Sequence, residues 1–486
     1  MKATNIVTTL SLLGLAGAQS TASCSSTLSA DYPAPSVADG YKATLIANDL
    51  TDPRSILFDS EGHLLVVEQE VGIVALTLSI SDERCISTTG RRTVIADESL
   101  NHGIEFSEDG RLLYASSPDA AYRWEYDAQE QRNTSEPQVL ITGMANSDHT
   151  TRTLLLSRYE PGMLIVTRGS TSNIDALASD IETGHSQIKA FNITNATSSS
   201  PYRFEDDGVL LGWGLRNDVG IDEEPTTGGI FSVENSVDQM ERDGRDIHNT
   251  NPAEELNFLG YLNGTESPNT GANFGYPECY TAWDTAIIPN FEGEVGDQFA
   301  IDSSDNDDQC SDRQTPRLSF QPHTAPLDIL FNEAGTAAWV SFHGSWNADP
   351  PVGYKVAVVP FENGMPMAAS TSMDGAVDVL SNADLGECPD NCFRPVGLAW
   401  DAQGRLFVSS DSTGEIYVIE RVDGEPTSAS GSNATGTIPE ASSSGGGGAG
   451  QSTETGSGAS PSETGAAGTA SMSAFVVGLG MLALLI

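Results

Sequence analysis

One pattern recurs along this chain: a short apolar strand, a turn built on Gly with Asp or Glu, and a second strand. It opens at Arg54 (RSILFDSEGHLLVVEQ), His102 (HGIEFSEDGRLLYASS), Arg152 (RTLLLSRYEPGMLIVTRGS), Ala325 (APLDILFNEAGTAAWVSFHGSW) and Arg394 (RPVGLAWDAQGRLFVSSDSTGEIYVIE). The turn glycines Gly62, Gly110 and Gly162 recur roughly every 50 residues, the length of one propeller blade. Between about Asp31 and Gly424 no long helical period appears, only short β-type runs broken by Gly, Asp, Asn and Pro. A further unit runs through GVLLGWGLRNDVG and GGIFSVEN. The chain is therefore expected to be all-β, a six-bladed β-propeller over residues 31–424, with seven blades as the alternative count.

The two ends read differently. The start, MKATNIVTTLSLLGLAGAQS, carries Lys2, a short apolar run and a small-residue cleavage pattern, which predicts a secretory signal peptide over residues 1–18. Residues 425–473 form a Ser/Gly/Thr-rich linker, and residues 474–486 an apolar tail. Small residues, a polar spacer and a terminal apolar stretch predict a GPI-type signal, with attachment between Gly456 and Gly465; a plain hydrophobic anchor is the alternative. The expected location is extracellular, held to plasma membrane or cell wall only through that anchor. In an oxidising compartment the six cysteines (Cys24, Cys85, Cys279, Cys310, Cys388, Cys392) read as disulfides rather than a zinc site. Cys388 with Cys392 is the local pair. Sequons at Asn133, Asn192, Asn195, Asn263 and Asn433 fit a glycosylated surface.

The formal charge of −45, from 23 basic and 68 acidic residues, excludes nucleic acid as a partner. It also makes each arginine informative. Propeller loops converge on one axis, so residues just before the first strand of each unit share one mouth. Those positions hold Arg54, His102, the DHTTR stretch and Arg394, an anion-friendly set. The structural alternative is that individual arginines clamp blade-end turns. No G-x-S-x-G elbow and no G-x-G-x-x-G strand-to-helix unit is present, which excludes the common serine-hydrolase and nicotinamide readings.

Several motifs, in order, resemble the glucose/sorbosone dehydrogenase family, and in particular its fungal secreted branch of pyrroloquinoline quinone (PQQ)-dependent pyranose dehydrogenases. They are DHTTRTLLLSRYEPGMLIVTRGSTSNID, GWGLRNDVGI, GGIFSVENSVDQ, NPAEELNFLG, ANFGYPEC, HTAPLDILF, VSFHGSWN with PVGYKV, and RPVGLAWDAQGRLFVSSDSTGEIYVI. The resemblance covers nearly the whole predicted propeller. It implies a six-bladed fold, PQQ and calcium at the axis, a sugar substrate (a pyranose, aldose or sorbosone-type ketose) and an external electron acceptor such as a separate cytochrome or quinone.

The same resemblance implies roles. His149 matches the catalytic histidine, a type suited to accept a hydroxyl proton. Arg216 and Asn217 match an Arg-Asn pair on the quinone, and Arg216 is also expected to polarise its carbonyl. Arg54 and Arg394 are candidates for the carboxylates of PQQ, which guanidinium groups bind bidentately. His102, Asn173 and His343 are further expected cofactor contacts. Gly344 would permit a tight approach beside His343. Trp346 would wall the pocket or pack between blades, and Trp213, Tyr276 and Trp346 are candidates for a sugar platform. Calcium wants oxygen ligands; backbone carbonyls of Asn235 and Ser236 are expected to hold it, with Glu234 and Asp238 supporting the loop. No cytochrome domain or cellulose-binding module, as some fungal relatives carry, is read in the chain. Two other classes compete: a calcium-dependent propeller hydrolase of lactonase type, and a non-catalytic anchored propeller binding carbohydrate or cell-wall ligands. The basic mouth argues against the first, and the meeting of His149, Arg216 and Arg394 argues against the second.

Overall fold

The computed structural model describes residues 28–429, apart from 82–84, 198 and 303–306. The expected signal peptide, Cys24, Asn433, the linker beyond residue 429 and the apolar tail lie outside the described residues. The described residues form strands and short 3-10 turns, without an α-helix.

Six sheets make six blades, as the repeat predicts. Their innermost strands are Pro53–Phe58, Ile104–Phe106, Leu154–Leu156, Asp218–Glu223, Pro326–Phe331 and Pro395–Trp400, in blades 1 to 6 respectively. Each packs beside the next and the sixth returns to the first, closing a ring. The ring is locked by the N-terminal strand Tyr41–Ala47, which pairs antiparallel with Glu415–Arg421 as the outer strand of blade 6. The turns are as read: Gly62, Gly110 and Gly162 have φ of 82°, 68° and 89°, the left-handed region that glycine enters without cost.

Alternating strands bury one face against each neighbour. Six apolar clusters result, one in each gap between blades. Phe231, Phe331 and Phe361, for example, meet edge to face between blades 4 and 5. At the axis the inner strands approach closely. A Cβ on Gly220 would lie 2.6 Å from the Asp328 Cα, and one on Gly397 would lie 2.7 Å from the Arg54 carbonyl oxygen. Buried carboxylates latch neighbouring inner strands: Asp222 accepts from the Phe331 N–H at 2.8 Å, and Asp328 from the Leu398 N–H at 2.8 Å.

One expectation needs correction. GVLLGWGLRNDVG does not lie within a single blade. Val209–Trp213 is a strand of blade 3, paired with Gln187–Asn192, whereas Asp218–Glu223 opens blade 4. Gly214, at φ 67°, turns the chain between them. Arg216 and Asn217 are therefore on an inter-blade crossover, which is what brings them to the mouth. Two parallel additions, Tyr202–Arg203 on blade 2 and Ala272–Asn273 on blade 3, carry no repeat signal. The long excursion between the third and fourth strands of blade 4 holds the Cys279–Cys310 disulfide. Its Tyr276, Tyr280 and Phe299 pack with Ala178, Val237 and Met240, fixing two mouth loops against each other. Cys388 and Cys392 are bonded as expected, and Cys85 is also in a disulfide.

Candidate active site

Two sets of chain ends reach the same mouth. Arg54, His102, His149 and Arg394 come from the starts of innermost strands. His343 follows Ala337–Phe342, Asn235 and Ser236 follow Gly229–Glu234, and Asn173 lies in the loop after Met163–Arg168. These three segments leave the second strands of their blades. The eight expected site residues other than Arg216 and Asn217 thus owe their position to strand ends, and Arg216 and Asn217 owe theirs to the crossover.

A cavity with about 380 Å³ of empty space is lined by His149, Arg216, Asn217, Asn235, Ser236 and Trp346, among others. His149 is buried, and its Nδ1 lies 2.8 Å from Ser170 Oγ and 3.1 Å from the Ser170 carbonyl. The Ser170 hydroxyl donates its own proton to the Ser172 carbonyl, so both Ser170 oxygens accept. The imidazole must carry its proton on Nδ1, which leaves Nε2 as a lone pair. Nε2 makes no hydrogen bond among the described residues. Burial, then the Arg216 charge, hold the His149 pKa well below the ordinary histidine value.

Arg216 is held by backbone and amide groups. Its Nε donates to the Asn173 carbonyl at 3.1 Å, Nη2 to Asn173 Oδ1 at 2.9 Å and Nη1 to the Asn235 carbonyl at 3.0 Å. Its backbone N–H donates to Glu234 at 2.6 Å. Asn173 thus reaches the site through Arg216 rather than as a lining residue. Asn217 is 99% buried, yet neither its Oδ1 nor its Nδ2 has a hydrogen-bond partner among the described residues. Orphaned buried amides are rare, and this one is suited to a polar ligand.

A second wall of the mouth, made by residues that do not themselves line that cavity, is ionic. Arg54 Nη1 donates to Asp411 at 2.6 Å, and its Nε to His102 Nδ1 at 3.3 Å. His343 Nε2 lies 2.8 and 3.0 Å from the two Asp411 oxygens. Arg394 donates to the carbonyls of His343 and Gly344 at 3.3 and 2.8 Å, and stacks over Tyr354. Gly344 packs against Tyr354: at φ 94° a Cβ would strike the Tyr354 ring at 2.3 Å. Arg54 Nη2 and His343 Nδ1 are buried without hydrogen-bond partners among the described residues.

Oxygen donors also gather at the mouth. Asn235 and Ser236 line it beside Asp238 and Glu254, whose carboxylate accepts from the Ser236 N–H at 2.7 Å. Burial pushes Glu254 up to about 7. The set suits a hard cation. The Asn235 carbonyl accepts from Arg216, so it is shared between that side chain and any ion. Asp238, His248 and His323 also bring ligand atoms within 4.8 Å of one another. His248 Nδ1 accepts from the Gln239 N–H, however, so its proton is on Nε2 and it has no free lone pair.

Of the platform candidates, only Trp346 lines the cavity, 49% exposed. Tyr276 is buried and its hydroxyl accepts from the Asp175 N–H, so it supports a loop instead. Sequence reasoning missed Asp411, Ser170, Glu254 and His323. Asp411 reads as an ordinary turn residue in SSDSTGE. Its signal was positional: it follows the second strand of blade 6 as His343 follows that of blade 5.

The TrAA12-like family model matches residues 35–422. Over 403 residues the chain is 48% identical to the pyrroloquinoline quinone-dependent sugar dehydrogenase of Hypocrea jecorina (strain QM6a), a match covering 81% of this chain and 91% of that protein. The structure is similar to the calcium structure of Trichoderma reesei Carbohydrate-Active Enzymes Family AA12, with 47% identity, a TM-score of 0.78, and 82% and 99% of the two chains covered. It is also similar to the holo form of the pyranose dehydrogenase PQQ domain from Coprinopsis cinerea, with 38% identity, a TM-score of 0.76, and coverage of 82% and 99%.

Proposed function

Because this chain belongs to the TrAA12-like family, we propose that it is a PQQ-dependent sugar dehydrogenase that passes electrons to an external acceptor. The observation that carries the reading is His149: a buried imidazole whose proton is fixed on Nδ1 by Ser170 and whose free Nε2 belongs to a cavity shared with Arg216 and Asn217.

The mouth fits PQQ, a flat tricarboxylate. The Asn217 amide, Arg54 Nη2 and His343 Nδ1 are buried polar groups without a hydrogen-bond partner among the described residues. Arg54, Arg394 and Arg216 would hold its carboxylates and carbonyls, with Asn217, His102 and His343 around them and Asn173 bracing Arg216. When bound, PQQ supplies the two-electron acceptor for hydride from the sugar carbon. His149 Nε2 takes the proton of the reacting hydroxyl, and Ser170 steadies the imidazolium that forms. Arg216, fixed by three hydrogen bonds, presents positive charge without reorganising. Trp346 offers an apolar face to a sugar ring. The proposed calcium site is at Asn235 and Ser236, with Asp238 and Glu254 nearby, where the ion would act as a Lewis acid.

Secretion, glycosylation and anchoring through residues 474–486 belong to the same proposal, supported by the composition of the two ends. The test is a titration of metal-stripped protein with PQQ, with and without calcium, followed by tryptophan quenching and then dye reduction with aldoses and ketoses. Calcium-dependent binding with sugar-driven reduction is expected. No PQQ binding would overturn the reading and favour a non-catalytic carbohydrate-binding propeller.

A further inference from the structure

Asp411 is the carboxylate that pairs directly with the side chains of the ionic wall, with Asp52 near enough to feel its charge and that of Arg54, and three facts define its place. It follows Leu406–Ser410, so the ring closure itself carries it to the mouth. It joins side chains distant in sequence, Arg54 at 2.6 Å and His343 at 2.8 Å. Each of those partners keeps one buried polar atom with no hydrogen-bond partner among the described residues, Arg54 Nη2 and His343 Nδ1.

A carboxylate at 2.8 and 3.0 Å from His343 Nε2 accepts a proton from it. The ring is therefore protonated on Nε2. The other groups facing this imidazole are the guanidiniums of Arg394 and Arg54, and His102 stands behind Arg54. They oppose a second positive charge. Burial first, and the two arginines with it, lower the His343 pKa to about 4 in spite of Asp411. Nδ1 of a neutral, Nε2-protonated ring is an acceptor. Arg54 Nη2 is a donor. The wall thus offers two opposite chemistries side by side.

We propose that Asp411 is a positioning residue for the cofactor: it clamps Arg54 and His343 into one unit, fixing Arg54 as a donor and His343 as an acceptor toward the ligand. PQQ carries carboxylates for the first and a pyrrole N–H for the second. This inference rests on the PQQ reading, and it gives the expected His343 contact a chemical sense: His343 meets the ligand as an acceptor.

The test has one arm without cofactor. In full-length apo protein labelled with ¹⁵N-histidine, long-range ¹H–¹⁵N spectra assigned with His343→Gln should show His343 protonated on Nε2 alone from about pH 5.5 to 8. In Asp411→Ala the ring should lose that preference and populate both tautomers. In the second arm, calorimetric PQQ affinity with calcium should fall at least tenfold in Asp411→Asn. Arg54→Lys combined with Asp411→Asn should cost less than the product of the single effects, because the clamp is already broken. A doubly protonated or Nδ1-protonated His343 in the wild type overturns the inference, as does an Asp411→Asn affinity within twofold of wild type at unchanged melting temperature. If Asp411→Asn does not fold, the wild-type spectra and Arg54→Lys alone still decide. Wild-type protein that binds no PQQ overturns the function reading, whatever the spectra show.

Discussion

The two walls of the mouth hold their functional groups by different means. On the side of blades 3 and 4, Arg216 and His149 are fixed by backbone carbonyls, an amide and a serine. On the side of blades 5, 6 and 1, Arg54 and His343 are fixed by one carboxylate, Asp411. The first wall takes its order mainly from loop geometry, with Asp238 at 3.7 Å from Arg216 as a longer ion pair. The second depends on one ionised group and tolerates little change in it. The proposed reacting groups are thus placed where the backbone defines them, and the proposed cofactor-holding groups where electrostatics can be strong.

The largest effect expected from breaking this contrast is at His149. His149→Ala should lower kcat by about 10²–10⁴, with PQQ affinity within a few-fold of wild type; unchanged turnover in a dye-reduction assay would remove the assigned base. Next comes the ionic wall. Arg54→Lys loses the planar fork that reaches Asp411 and His102 together, and PQQ affinity should fall by about tenfold, or about 1.4 kcal/mol. A calorimetric titration checks it.

Asn217 sharpens the comparison from the other side. Its amide makes no hydrogen bond among the described residues. Asn217→Ala should therefore leave the apo melting temperature unchanged or slightly raised, since an unsatisfied buried amide costs about 1–3 kcal/mol. The stabilisation that PQQ confers should shrink. A clear drop in apo melting temperature would mean that Asn217 is scaffold.

The smallest effect is in pH dependence. The His149 pKa is lowered by burial and by Arg216, so its neutral, proton-accepting form persists as pH falls below the ordinary histidine value of about 6.5. The acid limb of kcat/KM should lie below that value, and a limb at or above it would contradict the buried base. On the other wall, burial raises the Asp411 pKa but His343, Arg54 and Arg394 outweigh it, and the net shift is downward. A depressed carboxylate contributes stability above its unfolded pKa of about 3.9 and loses it only as pH falls through the folded value. The clamp should therefore survive mild acid, and Asp411→Asn should cost most near neutral pH.

Much of this was legible in the chain. Five strand-turn-strand units with turn glycines at Gly62, Gly110 and Gly162 specify blades, because the β period is local and glycine's freedom is intrinsic. The residues opening the units reach the mouth because strand starts in a closed ring share one end. Family motifs marked His149, Arg216 and Asn217. Ser170 was not legible as the partner of His149, since a serine in RGSTS has no local reason to face a histidine 21 residues earlier.

The sequence by itself determined the repeat, the all-β class and the chemical character of the mouth, since each follows from side-chain type and short spacing. Tertiary structure alone decided which groups are paired. Asp411 meets Arg54 across 357 residues only because Tyr41–Ala47 closes blade 6 beside blade 1. The same closure leaves Arg54 Nη2 and His343 Nδ1 without hydrogen-bond partners among the described residues. Hydrogen-bond satisfaction is a property of three-dimensional neighbours, and no local pattern encodes it.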